Sequence, residues 1–136
     1  MIQVNELRIG NNILLLGEVC TIECISNLPK RKEMYWIKTK EFIDTKIIHF
    51  KPIPLTEEIL LKCGLQIREI TVDGKQQKHY SDFRNIAIEV LSKDYLMLGL
   101  HKGHEHIEPI RRVEYLHQLQ NLYFALTNEE LTFNNL

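Results

Sequence analysis

Cysteine is scarce in this chain. Three residues among 136, Cys20, Cys24 and Cys63, form no Cys-x-x-Cys pair. That count gives no disulfide framework and fits a reducing compartment. The six glycines are scattered, so no Gly-rich phosphate loop exists, and no serine sits in Gly-x-Ser-x-Gly. The longest aliphatic run, Ile13 to Leu16, is far too short to span a membrane. The opening Met1-Ile-Gln-Val-Asn-Glu-Leu-Arg8 has no apolar core of a secretory signal. Both absences lead to the expectation of a cytoplasmic protein without membrane partners. Charge of one sign is also missing: the net charge is −1, unlike the strong positive balance of a DNA-coating protein.

What is present suits an ordinary globular domain. Hydrophobic residues make up 44% and charged residues 26%, enough apolar material for a sizeable core in one domain over 1–136. The first part, 1–53, reads as strands. Ile13–Leu16 is an apolar run, Gly17-Glu18 a turn, and Val19–Ile25 alternates with Cys20, Ile22 and Cys24 on one face. Met34–Thr39 and Lys46–Phe50 read as further strands. The Gly-polar turn, strand, second Gly turn and bending strand over Leu7–Ile22 resemble the opening hairpin of small SH3-like barrels.

The second part, 54–136, begins after Pro52 and Pro54. Thr56 is placed to cap a short helix over Glu57–Cys63. Glu57 and Glu58 sit at its positive end, Gly64 at its stop, and Leu55 and Leu60 are spaced as a hydrophobic staple. A meander is expected next: Leu65–Val72, a turn at Asp73-Gly74, Lys75–Tyr80, then Arg84–Leu91 and Tyr95–His101 joined at Ser92-Lys93-Asp94. Val113–Leu126 carries Leu116, Leu119, Tyr123 and Leu126 at helical spacing, widened by Val113, Tyr115 and Leu122. This predicts an amphipathic C-terminal helix. Thr127-Asn-Glu-Glu130 reads as a capping box that starts one more helical turn. The fold class that follows is α+β: SH3-like N-terminal strands, then an antiparallel β-meander packed by a short helix and a C-terminal helix.

Three segments resemble one family. His117-Gln-Leu-Gln-Asn-Leu-Tyr-Phe-Ala-Leu-Thr127 looks like the C-terminal signature of a group of small uncharacterised proteins from Bacteroidetes genomes and their prophages. Asn5–Asn11 and Pro52–Gly64 resemble the same group. These pieces cover roughly a third of the chain. The resemblance implies an origin in a phage or mobile element and brings no established activity.

Charge is unevenly distributed. Residues 30–51 hold seven lysines and arginines against three acids, whereas 104–136 hold two arginines against five glutamates. The basic stretch interleaves Lys30, Arg31, Lys32, Lys38 and Lys40 with Tyr35, Trp36 and Phe42. Cations pair with phosphates, rings stack on unpaired bases, and Trp, Tyr and Arg also dominate protein interfaces. Lys30, Arg31, Lys32, Tyr35, Trp36, Lys38 and Lys40 are therefore the candidate partner-binding residues. The bland alternative makes Trp36 a core anchor with solvated lysines outside it.

His101, His104 and His106 lie within six residues, with Glu105 and Glu108 nearby. Three imidazoles suit Zn²⁺ or Ni²⁺, yet no zinc signature has this spacing and Gly103 suggests a loop. No metal or other cofactor is expected. Cys20 and Cys24 stand roughly 13 Å apart along a strand and read as core residues, as does Cys63. Gln118, Gln120 and Asn121, with His117, fall on the polar side of the last helix, where amides can fix the helix to a sheet edge or bond the backbone of another chain. No catalytic residues are assigned. The leading expectation is a non-enzymatic accessory protein that binds a host protein or ribonucleoprotein, as an anti-CRISPR-like inhibitor or modulator would. An RNA-binding module using 30–42 is the alternative. A metal-dependent enzyme at the histidine cluster comes third.

Overall fold

Leu16 and Gly17 both take positive φ, 53° and 80°, in a computed structural model of the chain. Two consecutive left-handed residues make the tight turn whose twist matches a right-handed hairpin. The turn joins β1 (Asn12–Leu15) to β2 (Glu18–Asn27), with Leu15 opposite Glu18. The structure describes residues 2–27, 35–72, 74–82, 85–92, 95–102 and 106–134.

β2 pairs next with β3 (Tyr35–Thr39), β3 with β4 (Thr45–Lys46), and β1 with β5 (Phe50–Lys51). The first sheet has the order β4-β3-β2-β1-β5 and is antiparallel. The single strand expected over Lys46–Phe50 is broken by a 3-10 turn at Ile47–His49. Its buried Ile47 drops into the core of the sheet, which a continuing strand would not allow. That core also gathers Ile2, Ile13, Leu15, Cys20, Ile22, Ile37 and Phe50.

β2 carries a bulge between Ile22 and Cys24. One extra residue reverses the alternation, so Cys20 and Ile22 are buried while Cys24 is exposed. The expectation of Cys24 as a core residue is thereby corrected.

α1 (Glu57–Lys62) forms as its caps dictate. The Thr56 hydroxyl accepts from the Ile59 N–H at 3.2 Å, and Gly64 takes φ 82° just past the end. Leu55 and Leu60 are both buried. Five strands follow: β6 (Gln66–Val72), β7 (Lys75–Ser81), β8 (Ile86–Ser92), β9 (Tyr95–Lys102) and β10 (His106–Val113). Each pairs antiparallel with the next, giving a second five-stranded sheet. β6 and β10 are its edges. β10 carries Pro109 and a bulge between Pro109 and Arg111, whereas β6 runs seven residues without interruption.

β10 corrects two expectations. Its residues were expected to be loop and the start of the last helix. Val113 instead closes β10, buried opposite Leu96, and Tyr115 forms an isolated bridge to Pro54. The helix α2 starts at Leu116 and runs to Thr127. Asn128 ends it in the left-handed conformation at φ 59°. No further helical turn begins at Thr127. Its hydroxyl donates to the Tyr123 carbonyl at 2.7 Å and accepts from the Glu129 N–H, which closes α2.

Leu116, Leu119 and Tyr123 of α2 enter a second core with Leu60, Leu65, Tyr80, Ile86, Ile88, Leu96, Leu98 and Leu131. Leu126 remains exposed. Leu14 and Val19 of the first hairpin also pack on this core. The result is α+β: two antiparallel sheets of five strands with two helices. Among the described residues, no helix is long and apolar enough to cross a membrane.

Candidate functional site

α2 is clasped by residues 6–12. The Gln120 side chain is buried, accepts from the Asn12 N–H and donates to the Leu131 carbonyl. Asn121 accepts from the Asn11 amide at 2.8 Å and the Arg8 Nε at 3.3 Å, and donates to the Glu6 carbonyl. Arg8 lies 4.3 Å from the Phe124 ring centroid and is paired through both terminal nitrogens with Glu130. That pairing holds the Glu130 carboxyl below its ordinary range. Residues 53–55 reach the start of the same helix, where the Leu55 N–H donates to the Glu114 carbonyl and the Leu116 N–H to that of Ile53. Thus residues 6–12 and 53–55 converge on α2 and its start. Their amides fix the helix to the first sheet.

A small cleft opens beside this clasp. It is about 240 Å³ and lined by Asn5, Glu6, Arg111, Gln118, Asn121 and Leu122. His117 lies beside it, buried and stacked on Tyr115 with centroids 5.9 Å apart. Its Nε2 stands 3.9 Å from a Glu6 carboxylate oxygen, beyond hydrogen-bond reach, and burial pushes its pKa down. Most of the amide capacity here is already used: Gln118 Oε1 caps α2 by accepting from the Glu114 and Tyr115 N–H groups. A wider groove of about 690 Å³ runs between the end of α1 and residues 132–134. Cys63 lies along it, with burial raising its thiol pKa to about 12, which disfavours the reactive thiolate.

The basic-aromatic segment divides between two faces of β3. Ile37 and Thr39 point inward and are buried, and Tyr35 packs against the same core. Trp36 and Lys38 alternate onto the outer face, and Lys40 is exposed in the bend that follows β3. Lys46, in register with Trp36 on β4, has its ammonium 5.8 Å from the indole centroid, a cation–π distance. Lys38 lies 3.7 Å from Glu23, both exposed. Cys24 and Ser26 of β2 face Lys38 and Trp36 in register. The sequence does not place Lys46 or Cys24 on this face: one needs the β3–β4 register and the other the bulge. Lys30, Arg31 and Lys32 lie outside the described residues, within the connection between β2 and β3.

The histidine cluster is rearranged. His101 sits on β9 beside His79 of β7, ring centroids 6.1 Å apart at an interplanar angle of 63°. His104 and the side chain of His106 lie outside the described residues. Among the described residues, no group of three or more His, Cys, Asp or Glu side chains is arranged to hold a metal ion. Nor do the described cysteines pair: Cys20, Cys24 and Cys63 are free. No protein-family model, curated protein or solved structure matches the chain.

Proposed function

We propose that the protein is a non-enzymatic binding protein whose partner surface is the outer face of β2, β3 and β4. The observation that carries this reading is the row Lys46–Trp36–Ser26 beside Lys38, on a face whose opposite side is already filled by core. A half-buried indole flanked by ammonium groups is a rigid anchor with polar surroundings, the usual makeup of an interface hot spot. The partner is a host protein or ribonucleoprotein met in the cytoplasm. The family resemblance adds a phage or mobile-element origin and, with it, an anti-CRISPR-like role as inhibitor or modulator. The SH3-like reading of the first sheet is supported by the order β4-β3-β2-β1-β5, the bulged β2 and the 3-10 turn between β4 and β5. The consecutive pairing of β6 to β10 supports the meander.

The second reading is an RNA-binding module on the same face, favoured by the indole among Lys38, Lys40 and Lys46. One experiment separates the two. Wild type, Trp36→Ala and Lys38→Glu/Lys40→Glu are used to capture partners from host lysate, with and without nuclease. Nuclease-resistant binding lost in Trp36→Ala supports a protein interface. Nuclease-sensitive binding with a steep log-linear salt dependence supports RNA, through counterion release. Binding equal in all three proteins rejects this face.

A further inference from the structure

We propose that His79 and His101 form a two-imidazole site for a borderline transition-metal cation such as Zn²⁺, Ni²⁺ or Cu²⁺. The site lies on the face of the second sheet turned away from α2. It is independent of the proposed partner face.

The placement follows from register. On β7, β8 and β9 the core-facing rows are Tyr80, then Ile86, Ile88 and Val90, then Leu96, Leu98 and Leu100. His79, Ala87, Glu89, Gly99 and His101 alternate onto the other face. His79 is only 1% exposed there, and Ala87 is fully buried. Gly99 is required: a Cβ at that position would stand 2.5 Å from Ile107 Cγ2 and 2.6 Å from the Glu108 carbonyl oxygen. The missing side chain lets Ile107, opposite His101 on β10, lie close over the sheet.

Three ring nitrogens in this pair, both of His79 and Nε2 of His101, are buried without a hydrogen-bond partner. A buried imidazole that serves only packing normally has at least one nitrogen satisfied, because each unsatisfied group costs about 1–3 kcal/mol. Here the orphans of two rings are concentrated in one place. A cation at the usual 2.0–2.1 Å from one nitrogen of each ring sets the centroids roughly 5–6.4 Å apart, depending on the angle at the metal. The observed 6.1 Å corresponds to a wide angle of about 145° at the metal, and a tetrahedral ion, near about 5.2 Å, would need the rings to close by about 1 Å. Burial also lowers both pKa values, which keeps the rings neutral and their lone pairs free near pH 7.

Two charged groups flank the pair. Glu89 faces His79 from β8 and favours positive charge, while Arg68 faces it from β6 and opposes it. Glu89 is the natural acceptor for the His79 N–H left over once the other nitrogen binds metal, an arrangement that commonly orients ligating histidines. With two protein ligands, water would have to fill the remaining positions of a site where His79 is 1% exposed.

The test uses the full chain without an affinity tag, stripped with chelator and titrated with Zn²⁺, Ni²⁺ or Cu²⁺ by calorimetry. One equivalent is expected to bind. Affinity should fall at least tenfold in His79→Gln and in His101→Gln, and stay unchanged in His104→Ala/His106→Ala. Long-range ¹H–¹⁵N spectra of the wild type give a readout that needs no variant to fold: Zn²⁺ should move one ring nitrogen each of His79 and His101. Absence of binding overturns the proposal. So does binding that survives loss of His79 and His101 but needs His104 and His106, or Zn²⁺ spectra in which His79 and His101 stay fixed.

Discussion

Gln120 and Asn12 exchange two hydrogen bonds across 108 positions of sequence: Gln120 Oε1 accepts from the Asn12 N–H at 2.9 Å, and Gln120 Nε2 donates to Asn12 Oδ1 at 2.8 Å. Both residues are buried. The pair replaces a missing strand partner at the start of β1 with a side-chain amide from α2. Gln120→Leu keeps the volume but orphans the Asn12 N–H, the Asn12 Oδ1 and the Leu131 carbonyl. A loss of about 2–4 kcal/mol is expected in urea unfolding. A loss below about 0.5 kcal/mol would mean that water takes over the role of the amide.

Leu16 offers a change in the opposite direction. It sits 89% exposed at the tip of the first hairpin with positive φ, where a leucine is strained and buries nothing. Asparagine is favoured at this turn position. Leu16→Asn should raise stability by about 1 kcal/mol, read as a higher urea midpoint at unchanged slope. Lower stability would show that the leucine makes contacts that matter.

The three thiols should differ sharply in reactivity. Cys20 is buried with its pKa raised by burial and by Glu41, and the Cys63 thiol is pushed up to about 12. Cys24 is exposed. Under native conditions a thiol reagent should label Cys24 fast, and Cys20 and Cys63 only on unfolding. Peptide mapping after partial labelling checks the order.

His117 makes stability depend on pH. Burial lowers its folded pKa below the ordinary 6.5, with Glu6 partly opposing the shift. The unfolded chain therefore takes up a proton at this position before the folded chain does. The contribution is fully present above about pH 6.5 and is lost as the pH falls through that value toward the folded pKa. The melting temperature should drop between pH 7 and pH 5, and His117→Asn should show a smaller drop. Equal drops in both proteins would assign the acid sensitivity to other groups.

Local chemistry was the legible part of the sequence. Thr56, Glu57, Glu58 and Gly64 act within one turn of their own helix, so α1 could be read from six residues. The β6–β7 hairpin was legible because the sequence reads Asp-Gly between the strands, and Val72 pairs with Lys75. Features that depend on register were not. The bulge in β2 that exposes Cys24 has no sequence mark. β10 hid behind Pro109 and a polar approach, which lower the apparent odds of a strand. His79 sits in Lys75-Gln-Gln-Lys-His-Tyr80, a run with no apolar row, and is buried only because other strands flank it. Its approach to His101 comes from β8 lying between them. The amides of α2 read as fixing the helix to a sheet edge, but which of them does so depends on the fold: Gln120 bonds Asn12 of β1, while His117 is buried against Tyr115.

The edges of the second sheet set a limit on self-association. β10 presents a proline and a kink to any strand approaching it, and β4 and β5 of the other sheet are two residues long. Among the described residues, β6 is thus the one long, regular margin with free backbone groups. A molecule with a single adhesive edge can join one neighbour and is then spent. Aggregation by strand pairing would terminate at a closed pair, because propagation into a fibre needs two such edges on every copy.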